Sequence, residues 1–323
     1  MSDNPIHTIG QKRSGIMDKH ILKYDVHSID GELLLPAGVT LDRATLIDLA
    51  RRHGHKKRQS FRFSELDGLQ ADLKGFLATP PYNVIFSDPY ETNEVLLLIG
   101  KISMLEPVVD SLDYFRENDF DTYRHSLMVF ALSTLIIRHL HPDDHRISLL
   151  LLSLAGPSHD IGKTCVPLDI LKKQTPLTHM EMENIKHHVL AGYVKLSLYT
   201  GDPGHLSSLI ARDHHEMRDG SGYPLGIKIF NEMVEIITLA DVYDALISLR
   251  PYRPVAYDNR SALEELTRMA EEGQIGWLAL KTLIALNRKN RPNYQECEIS
   301  KEKRGIPPEN NLYGMIAEEG NER

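Results

Sequence analysis

The sequence is poor in cysteine and has fewer basic than acidic residues. Its 323 residues include only two cysteines, Cys165 and Cys297, which are too few and too far apart for a disulfide framework or for a zinc site built from thiolates. The net charge of -8 at pH 7 gives no general attraction to nucleic acid or to an anionic membrane. We therefore expect neither partner, and an anionic substrate would need a local basic patch or a metal ion to attract it.

The sequence also lacks a long apolar run. Residues 1–15 are polar and have no apolar core of the kind that a secretion signal needs. The most apolar stretch, Glu94 to Val109, contains Lys101 and Glu106 and is too short to cross a bilayer, so it predicts a buried helix. Together with the low cysteine content, this pattern predicts a cytoplasmic protein.

The apolar residues, 41% of the chain, are enough to bury a domain-sized core, and the length suggests about two domains. Residues 21–54 predict a small α+β unit with strands at Ile21 to Val26 and Leu33 to Leu35 and a helix from about Leu41 to His53. Residues 55–92 are rich in turn formers and predict the end of this module and a linker.

The rest of the chain divides into a helical domain and a tail. From residue 93 to 290, long apolar segments alternate with short breaks at proline and glycine, and this pattern predicts helices almost throughout. A capping box at Thr178 and Glu181 opens one of them. Residues 291–323 are charged and rich in proline and asparagine, which predicts a mobile tail. The fold class is therefore mainly α: a helical bundle preceded by a small α+β module (1–92) that we expect to be regulatory.

Histidine is the residue type that stands out, with 16 copies. His159 and Asp160 follow a Gly-Pro break, which lets adjacent side chains point at one site, and imidazole with carboxylate suits a divalent metal. His188 lies on the apolar stripe of its helix, where Gly192 leaves room beside it, whereas His187 points away. Each has a plainer interpretation, namely a chance dipeptide for the pair and a core histidine bonded to the backbone for His188.

Two further segments carry candidates at positions that face inward. His214 continues an apolar stripe and His215 follows at the helix end, where Glu216 could orient an imidazole. The alternative is a polar helix terminus favoured by the helix dipole. Asp241 lies in the middle of an apolar face, where an unpaired carboxylate is costly, so a metal or a histidine would explain it. Asp244, three residues on, predicts a structural contact rather than a ligand.

His125 begins a long apolar helix, and Asp121 lies one turn earlier on the same face. The pair could bind one metal, or Asp121 could cap the helix. The five segments together supply enough ligands for two or more metal ions about 3.5–4 Å apart, an arrangement that suits in-line attack on phosphorus. We therefore predict a buried multinuclear metal centre that hydrolyses a phosphodiester.

Candidate substrate contacts occur near these ligands in the sequence. The loop at residues 219–224, Asp-Gly-Ser-Gly-Tyr-Pro, displays Tyr223, whose ring could stack a base, although an ordinary turn is the plainer interpretation. Lys163, Arg250 and Arg253 would bring positive charge to a phosphate, or they could be solvated surface charges.

Taken in order, these motifs resemble the HD-GYP family of cyclic di-GMP phosphodiesterases over residues 121 to 256. The resemblance rests on His-Asp-Ile-Gly-Lys at 159–163, His188 with Gly192, His-His-Glu at 214–216, the loop at 219–224, Ala-Asp and Asp-Ala within 240–245, and Arg-Pro-Tyr-Arg at 250–253. It implies an HD-type helical domain with two or three divalent metal ions, iron or manganese. It also implies hydrolysis of cyclic di-GMP to linear pGpG, with GMP as a further product.

The resemblance assigns roles to individual residues. The matching metal ligands are His125, His159, Asp160, His188, His214, His215 and Asp241. Asp160 would bridge the metals and act in catalysis with Lys163. The matching substrate contacts are Lys163, Tyr223, Arg250 and Arg253. Asp121 falls where some members carry a glutamate for a third metal, and its shorter side chain leaves that metal open.

The family also implies partners: a diguanylate cyclase of the GGDEF type, bound through the Gly222-Tyr223-Pro224 loop, and a second copy in a homodimer. Gly156-Pro157-Ser158 departs from the apolar run expected before the His-Asp pair. This departure leaves open a non-catalytic sensor that binds cyclic di-GMP. A phosphohydrolase of the wider HD superfamily, acting on another nucleotide, is the other rival, and the complete Gly-Tyr-Pro loop argues against it.

Overall fold

The computed structural model describes residues 20–53, 58–142, 157–250, 253, 255–300, 302–309 and 316–317. Its α-helices are α1 Arg43–Arg52, α2 Asp67–Leu77, α3 Pro89–Gly100, α4 Glu106–Asn118, α5 Phe120–Leu140, α6 Leu168–Leu171, α7 His179–Lys186, α8 His188–Thr200, α9 Leu206–Asp213, α10 Glu232–Ile247, α11 Asn259–Glu271 and α12 Trp277–Leu286. Its strands are β1 His20–Ile21, β2 Val26–His27, β3 Leu33–Leu35, β4 Thr40–Leu41, β5 Ser60–Arg62 and β6 Ser103–Leu105. Helices dominate these residues, which confirms the mainly α fold class.

The N-terminal strands form short antiparallel pairs, β1 with β4 and β2 with β3. The prediction of one strand from Ile21 to Val26 is wrong, because β1 ends where that strand should begin and β2 has a different partner. Between them the Asp25 carboxylate accepts the Ala37 N–H at 2.7 Å, a local bond that competes with a ladder. The strand at Leu33 to Leu35 is confirmed.

Residues 58–92 fold onto the helical bundle, which differs from the expected linker. Helices α2 and α3 both pack on α5. The ring of Phe63 meets that of Phe130 edge to face, with 5.9 Å between centroids. The expected boundary between residues 92 and 93 falls inside α3, because that helix begins at Pro89 behind the Asp88 cap. One apolar core therefore includes residues from both sides of the boundary, while the division into domains stays a prediction.

The apolar stretch from Glu94 to Val109 is not the single helix that its composition predicts. Helix α3 ends at Gly100, strand β6 pairs with β5, and α4 begins at Glu106. None of the described helices is long and apolar enough to cross a bilayer.

Helix α5 is the central element of the bundle. Sixteen of its 21 residues are buried, and α4 and α10 pack against it. Its cap is Asp119, whose carboxylate accepts the Thr122 N–H at 3.3 Å and the Thr122 hydroxyl at 2.6 Å. The alternative interpretation of Asp121 as the cap is therefore wrong.

The helix that opens at Thr178 is broken in two. The predicted capping box is confirmed, because Thr178 and Glu181 each accept the other's backbone N–H. Helix α7 then ends at Lys186 and α8 begins at His188, with His187 between them. His188 therefore lies at the start of a new helix rather than in the middle of a long one.

Helix α8 and the short 3-10 helix Ile161–Cys165 approach so closely that only glycine fits between them. A Cβ on Gly162 would lie 1.9 Å from the carbonyl oxygen of His188 and 2.5 Å from the nitrogen of Gly192. The space that Gly192 leaves is thus filled by the segment that directly follows Asp160. This contact holds the segment of Asp160 against α8.

The described part of the C-terminal segment packs on the bundle, although its composition predicts a mobile tail. The Arg291 guanidinium pairs with Glu91 and donates to the Ile85 carbonyl at 2.6 Å. Cys297 is buried in the core. Glu264 accepts the backbone N–H of Gly305 at 2.8 Å. Residues 291–300 and 302–309 therefore contribute contacts to the fold.

Gly162→Ala should destabilise the protein by about 1–3 kcal/mol or more, because the added methyl overlaps backbone that cannot move without shifting α8. Gly75→Ala is the matched control: its Cβ meets nothing within 4 Å in the exposed face of α2, and alanine should stabilise that helix by about 0.5–1 kcal/mol. Chemical denaturation of both variants measures the difference, and a neutral Gly162→Ala would contradict the close crossing.

Candidate metal centre

Five separate segments bring the predicted histidines and aspartates to one buried place. The side chains come from α5 (His125), the turn before the 3-10 helix (His159 and Asp160), the start of α8 (His188), the end of α9 (His214 and His215) and α10 (Asp241). All are buried except His215, whose side chain is 17% exposed. The centre therefore has one edge near solvent and is otherwise closed.

The Nε2 atoms of His188 and His214 face each other in an arrangement that favours a bound cation. The Nδ1 atom of His188 bonds the Ile185 carbonyl at 2.6 Å, and that of His214 bonds the Ala211 carbonyl at 3.1 Å. A carbonyl only accepts, so each Nδ1 carries the hydrogen and each neutral ring presents a lone pair on Nε2. The two Nε2 atoms are 3.3 Å apart. Two lone pairs at this distance repel unless a positive ion lies beside both.

Asp160 lies between two groups of imidazoles. Its Oδ1 atom is 3.3 Å from His188 Nε2 and 3.8 Å from His214 Nε2, and its Oδ2 atom is 3.5 Å from the Nε2 atoms of both His125 and His159. Within the described part of the chain, the buried Oδ1 accepts no hydrogen bond. A buried carboxylate oxygen without a donor is costly, and a metal ion would satisfy it.

Asp241 makes a second connection between the same two groups. Its Oδ1 atom is 2.9 Å from His125 Nε2, and its Oδ2 atom is 3.8 Å from His215 Nδ1. The ligand atoms fall into two sets, each within 4.8 Å: His188, His214 and His215 form one, and His125, His159 and Asp160 form the other. This donor set of neutral imidazoles and carboxylates fits two divalent ions.

Burial keeps most of these imidazoles neutral. It lowers the pKa of His159 to about 4 and that of His188 to about 3, and it holds the pKa of His215 well below its usual value. At neutral pH these rings therefore offer lone pairs rather than protons, which is the form that a metal binds. His187, by contrast, is buried against the ring of Tyr24 and does not join the centre.

Asp244 contacts the far side of His125. Its Oδ2 atom is 2.7 Å from His125 Nδ1, whereas the metal-facing Nε2 atom points to Asp241. Tyr82 donates its hydroxyl hydrogen to Asp244 Oδ1 at 2.5 Å, and Arg250 donates to Oδ2 at 3.2 Å. Metal-binding histidines commonly have such a carboxylate on the other nitrogen, because it fixes the ring and its tautomer. Tyr82 was not a sequence candidate, since nothing local marks a bond across 162 residues.

The structure places Asp121 apart from this cluster. Its carboxylate pairs with Arg124 at 3.1 Å and its side chain is 36% exposed. Arg124 also donates to the Leu249 carbonyl at 3.2 Å, so it holds Asp121 toward that side. Neither set of clustered ligand atoms includes Asp121.

The three predicted phosphate contacts have different surroundings. Lys163 Nζ lies 2.6 Å from Asp160 Oδ2, at the ligand cluster itself. Arg250 Nη2 lies 2.9 Å from His125 Nδ1 and also donates to Asp244, so it is beside the outer face of His125. Arg253 donates to backbone carbonyls at the end of α10, including those of Leu246 and Ser248. The contacts of all three side chains with substrate stay predictions.

The loop at 219–224 is fastened to the centre by Tyr223 and Glu216. The Tyr223 ring stacks on His215, with 4.7 Å between centroids and 23° between planes. The expectation that Glu216 orients an imidazole is not what the structure shows. Its carboxylate accepts the backbone N–H groups of Leu225, Gly226 and Ile227, so it orients the chain that follows the loop.

Glu216→Ala should loosen this loop by about 1–3 kcal/mol, because three backbone N–H groups lose their acceptor. Amide hydrogen exchange at Leu225, Gly226 and Ile227 should accelerate roughly tenfold or more. Glu183→Ala, which removes a side chain on α7 that pairs with Lys23, is the control and should leave these three amides unchanged. Equal protection in both variants would contradict the anchoring role.

Asp160→Asn should abolish tight binding of divalent metal ions, because the residue contacts both histidine sets and the amide cannot replace its charge. Metal content after dialysis, measured by plasma mass spectrometry, checks this loss. Asp119→Asn is the control: it changes another buried aspartate, but asparagine caps a helix equally well and the metal content should stay at the wild-type level. Retention of metal by Asp160→Asn would contradict the assigned centre.

Comparison with known proteins identifies related chains. A cyclic di-GMP phosphodiesterase from Thermotoga maritima is 36% identical over 166 residues, which cover 51% of this chain and 43% of that protein. Cyclic di-GMP phosphodiesterase PA4108 from Pseudomonas aeruginosa is 35% identical over 50% of this chain and 38% of its own length. A 3'3'-cGAMP-specific phosphodiesterase 1 from Vibrio cholerae is 28% identical over 77% of this chain and 54% of its own. The chain therefore spans between 38% and 54% of the length of these curated relatives.

A solved structure and a family model also match this chain. The structure is Bd1817, an HDG"Y"P protein from Bdellovibrio bacteriovorus; it is 16% identical, with 82% of this chain and 94% of that chain covered at a TM-score of 0.43, which is too low to bear on the fold. The family model of the HD domain matches residues 114–276, half of the chain. This match includes every residue of the clustered centre, and the chain therefore belongs to the HD domain family.

Proposed function

We propose that this protein is a metal-dependent phosphodiesterase of the HD-GYP type that hydrolyses cyclic di-GMP to linear pGpG, with GMP as a further product. The observation that carries the proposal is the pair of histidine sets joined by Asp160 and Asp241. The names of the relatives from Thermotoga maritima and Pseudomonas aeruginosa support the substrate.

The centre would hold two divalent ions, iron or manganese. His188, His214 and His215 would hold one, and His125 and His159 the other, with Asp160 and Asp241 shared between them. Asp121 would stay outside, because it pairs with Arg124 and is part-exposed. When bound, such a pair of ions activates water and stabilises the leaving oxygen of a phosphodiester.

Residues of the chain would supply orientation and charge for the reaction. Lys163 holds Asp160 and would add positive charge where the phosphoryl oxygens become more negative. Burial lowers the pKa of the Lys163 ammonium, but Asp160 raises it, and the net direction is upward, so the side chain stays charged. Arg250 is fixed by Asp244 and would add further charge next to His125. No side chain is required as a nucleophile, so the proposed hydrolysis has no covalent enzyme intermediate.

The loop at 219–224 would form the wall of the substrate site next to His215. Because Tyr223 covers the ring of His215, a guanine base would stack on Tyr223 rather than on His215, next to Lys186, whose Nζ atom lies 5.5 Å from the centroid of the Tyr223 ring. Ser221 and Asp219 are exposed, so the loop is also accessible to the expected diguanylate cyclase partner. That partner and a homodimer stay predictions.

Protein purified without oxygen and loaded with Mn²⁺ or Fe²⁺ should convert cyclic di-GMP to pGpG, and Asp160→Ala should lower the rate at least about a hundredfold. Chromatography of the nucleotides with time measures this. Asp119→Asn, which leaves the ligand sets intact, should retain turnover.

A substrate panel separates the proposal from its rivals. Turnover of 3'3'-cGAMP in preference to cyclic di-GMP would move the protein toward the Vibrio cholerae relative. Tight binding of cyclic di-GMP without turnover under any metal would favour a sensor, and turnover of other nucleotides alone would favour a different HD phosphohydrolase. Any of these outcomes contradicts the proposed activity.

A further inference from the structure

Tyr82 connects the N-terminal part of the chain to the candidate metal centre. It begins the short 3-10 helix Tyr82–Val84, between α2 and α3, and only 2% of it is exposed. Its hydroxyl donates to Asp244 Oδ1 at 2.5 Å, and Asp244 is completely buried. A hydrogen bond between two buried groups this far apart in sequence is made by the tertiary fold alone.

Asp244 connects Tyr82 to His125, which is a candidate metal ligand. One carboxylate oxygen accepts from Tyr82 and the other lies 2.7 Å from His125 Nδ1, so the two oxygens have separate partners. The opposite nitrogen of His125 faces Asp241 at 2.9 Å and Asp160 at 3.5 Å. Three residues therefore form an unbroken chain of contacts from residue 82 to the ligand cluster.

We propose that Tyr82 is a positioning residue of the metal centre, which sets the orientation of His125 by holding Asp244. The proposal rests on the metal-binding part of the proposed function. It extends that function by making residues outside the matched HD domain part of the centre.

Tyr82 can act in this way because several hydrogen-bond donors compete for the carboxylate oxygens of Asp244. Arg250 Nη2 lies 3.2 Å and Ser248 Oγ 3.4 Å from Asp244 Oδ2, the oxygen that also bonds His125. Tyr82 is the donor on Oδ1. Without its hydroxyl, Oδ1 is left buried and unsatisfied, and rotation of the carboxylate toward Arg250 relieves this at the expense of the bond to His125. His125 then loses the contact that fixes its ring and tautomer.

The position of Tyr82 depends on the N-terminal part of the fold. It follows α2, which packs on α5, and it lines a cleft of about 450 Å³ together with Phe76, Phe120 and Ser248. Ser248 itself donates to the Asp244 carbonyl at 2.6 Å. A shift of α2 relative to α5 would therefore displace the Tyr82 hydroxyl and, through Asp244, the ring of His125.

The chain offers a matched control in Tyr123. Its hydroxyl donates to Asp72 at 2.6 Å, so a buried tyrosine and a carboxylate join α5 to α2. Asp72, however, contacts Arg116 and none of the clustered ligands. Tyr123→Phe and Tyr82→Phe thus each remove a tyrosine hydroxyl that donates to a carboxylate, and only the carboxylate bonded to Tyr82 contacts a clustered ligand.

The test measures binding of Co²⁺ to the full chain without substrate, by its visible absorption and by competition with a chelator. Tyr82→Phe should weaken binding about tenfold and change the absorption bands, because Asp244, the carboxylate partner of His125, loses its position. Tyr123→Phe should leave both unchanged, even if it lowers the melting temperature equally. Wild-type affinity and spectrum in Tyr82→Phe would overturn the proposal.

The variant Asp244→Asn provides a second, independent test of the proposal. It should weaken Co²⁺ binding at least as much as Tyr82→Phe, and adding Tyr82→Phe to it should cause no further loss, because both act through one contact. Additive losses in the double variant, or wild-type affinity in Asp244→Asn, would overturn the proposal. A wild-type chain that binds Co²⁺ but cleaves no cyclic di-GMP would refute the proposed substrate and leave the role of Tyr82 standing; one that binds no Co²⁺ would refute both.

Discussion

Two carboxylates, Asp160 and Asp241, lie between two sets of imidazoles in a place that water scarcely reaches. Burial keeps several of these rings neutral, and the hydrogen bonds of His188 and His214 to backbone carbonyls turn their lone pairs toward each other. A cation between the two sets would satisfy both the carboxylates and the lone pairs. The surrounding fold meets this constraint with rigid parts: a capped central helix, a helix that restarts at His188, and a crossing where Gly162 leaves no room for a side chain.

Much of the candidate site could be predicted because its residues follow local rules. Helical periodicity singled out His188, and the apolar face of α10 singled out Asp241. The capping box at Thr178 was predicted for the same reason, since a cap depends on four neighbouring residues. Periodicity did not predict that His187 is also buried. The chain breaks between α7 and α8 at this residue, and the ring of Tyr24 packs against it.

The features that were missed depend on contacts between distant segments. Glu216 lies beside the double histidine, yet its carboxylate turns to the backbone after the loop at 219–224. Residues 58–92 have the composition of a linker, yet they supply Phe63, α2 and Tyr82 to the core and the centre. Asp121 shares a helix face with His125, and its ion pair with Arg124 could not be predicted from that face, while its role as a ligand stays a prediction. In each case the partner that decides the outcome is set by tertiary packing, which no short pattern encodes.

The position of Tyr82 has a consequence for how such a protein can change in evolution. The bundle could in principle acquire a new sensor by recombination near residue 92, where composition suggests a joint, but that point lies within α3. A chain joined there to a foreign N-terminal sequence would lack Tyr82, and Asp244 would lose the donor on one of its oxygens. The N-terminal part of this chain therefore cannot be exchanged freely, and its sequence has to change together with that of the helical bundle that it contacts.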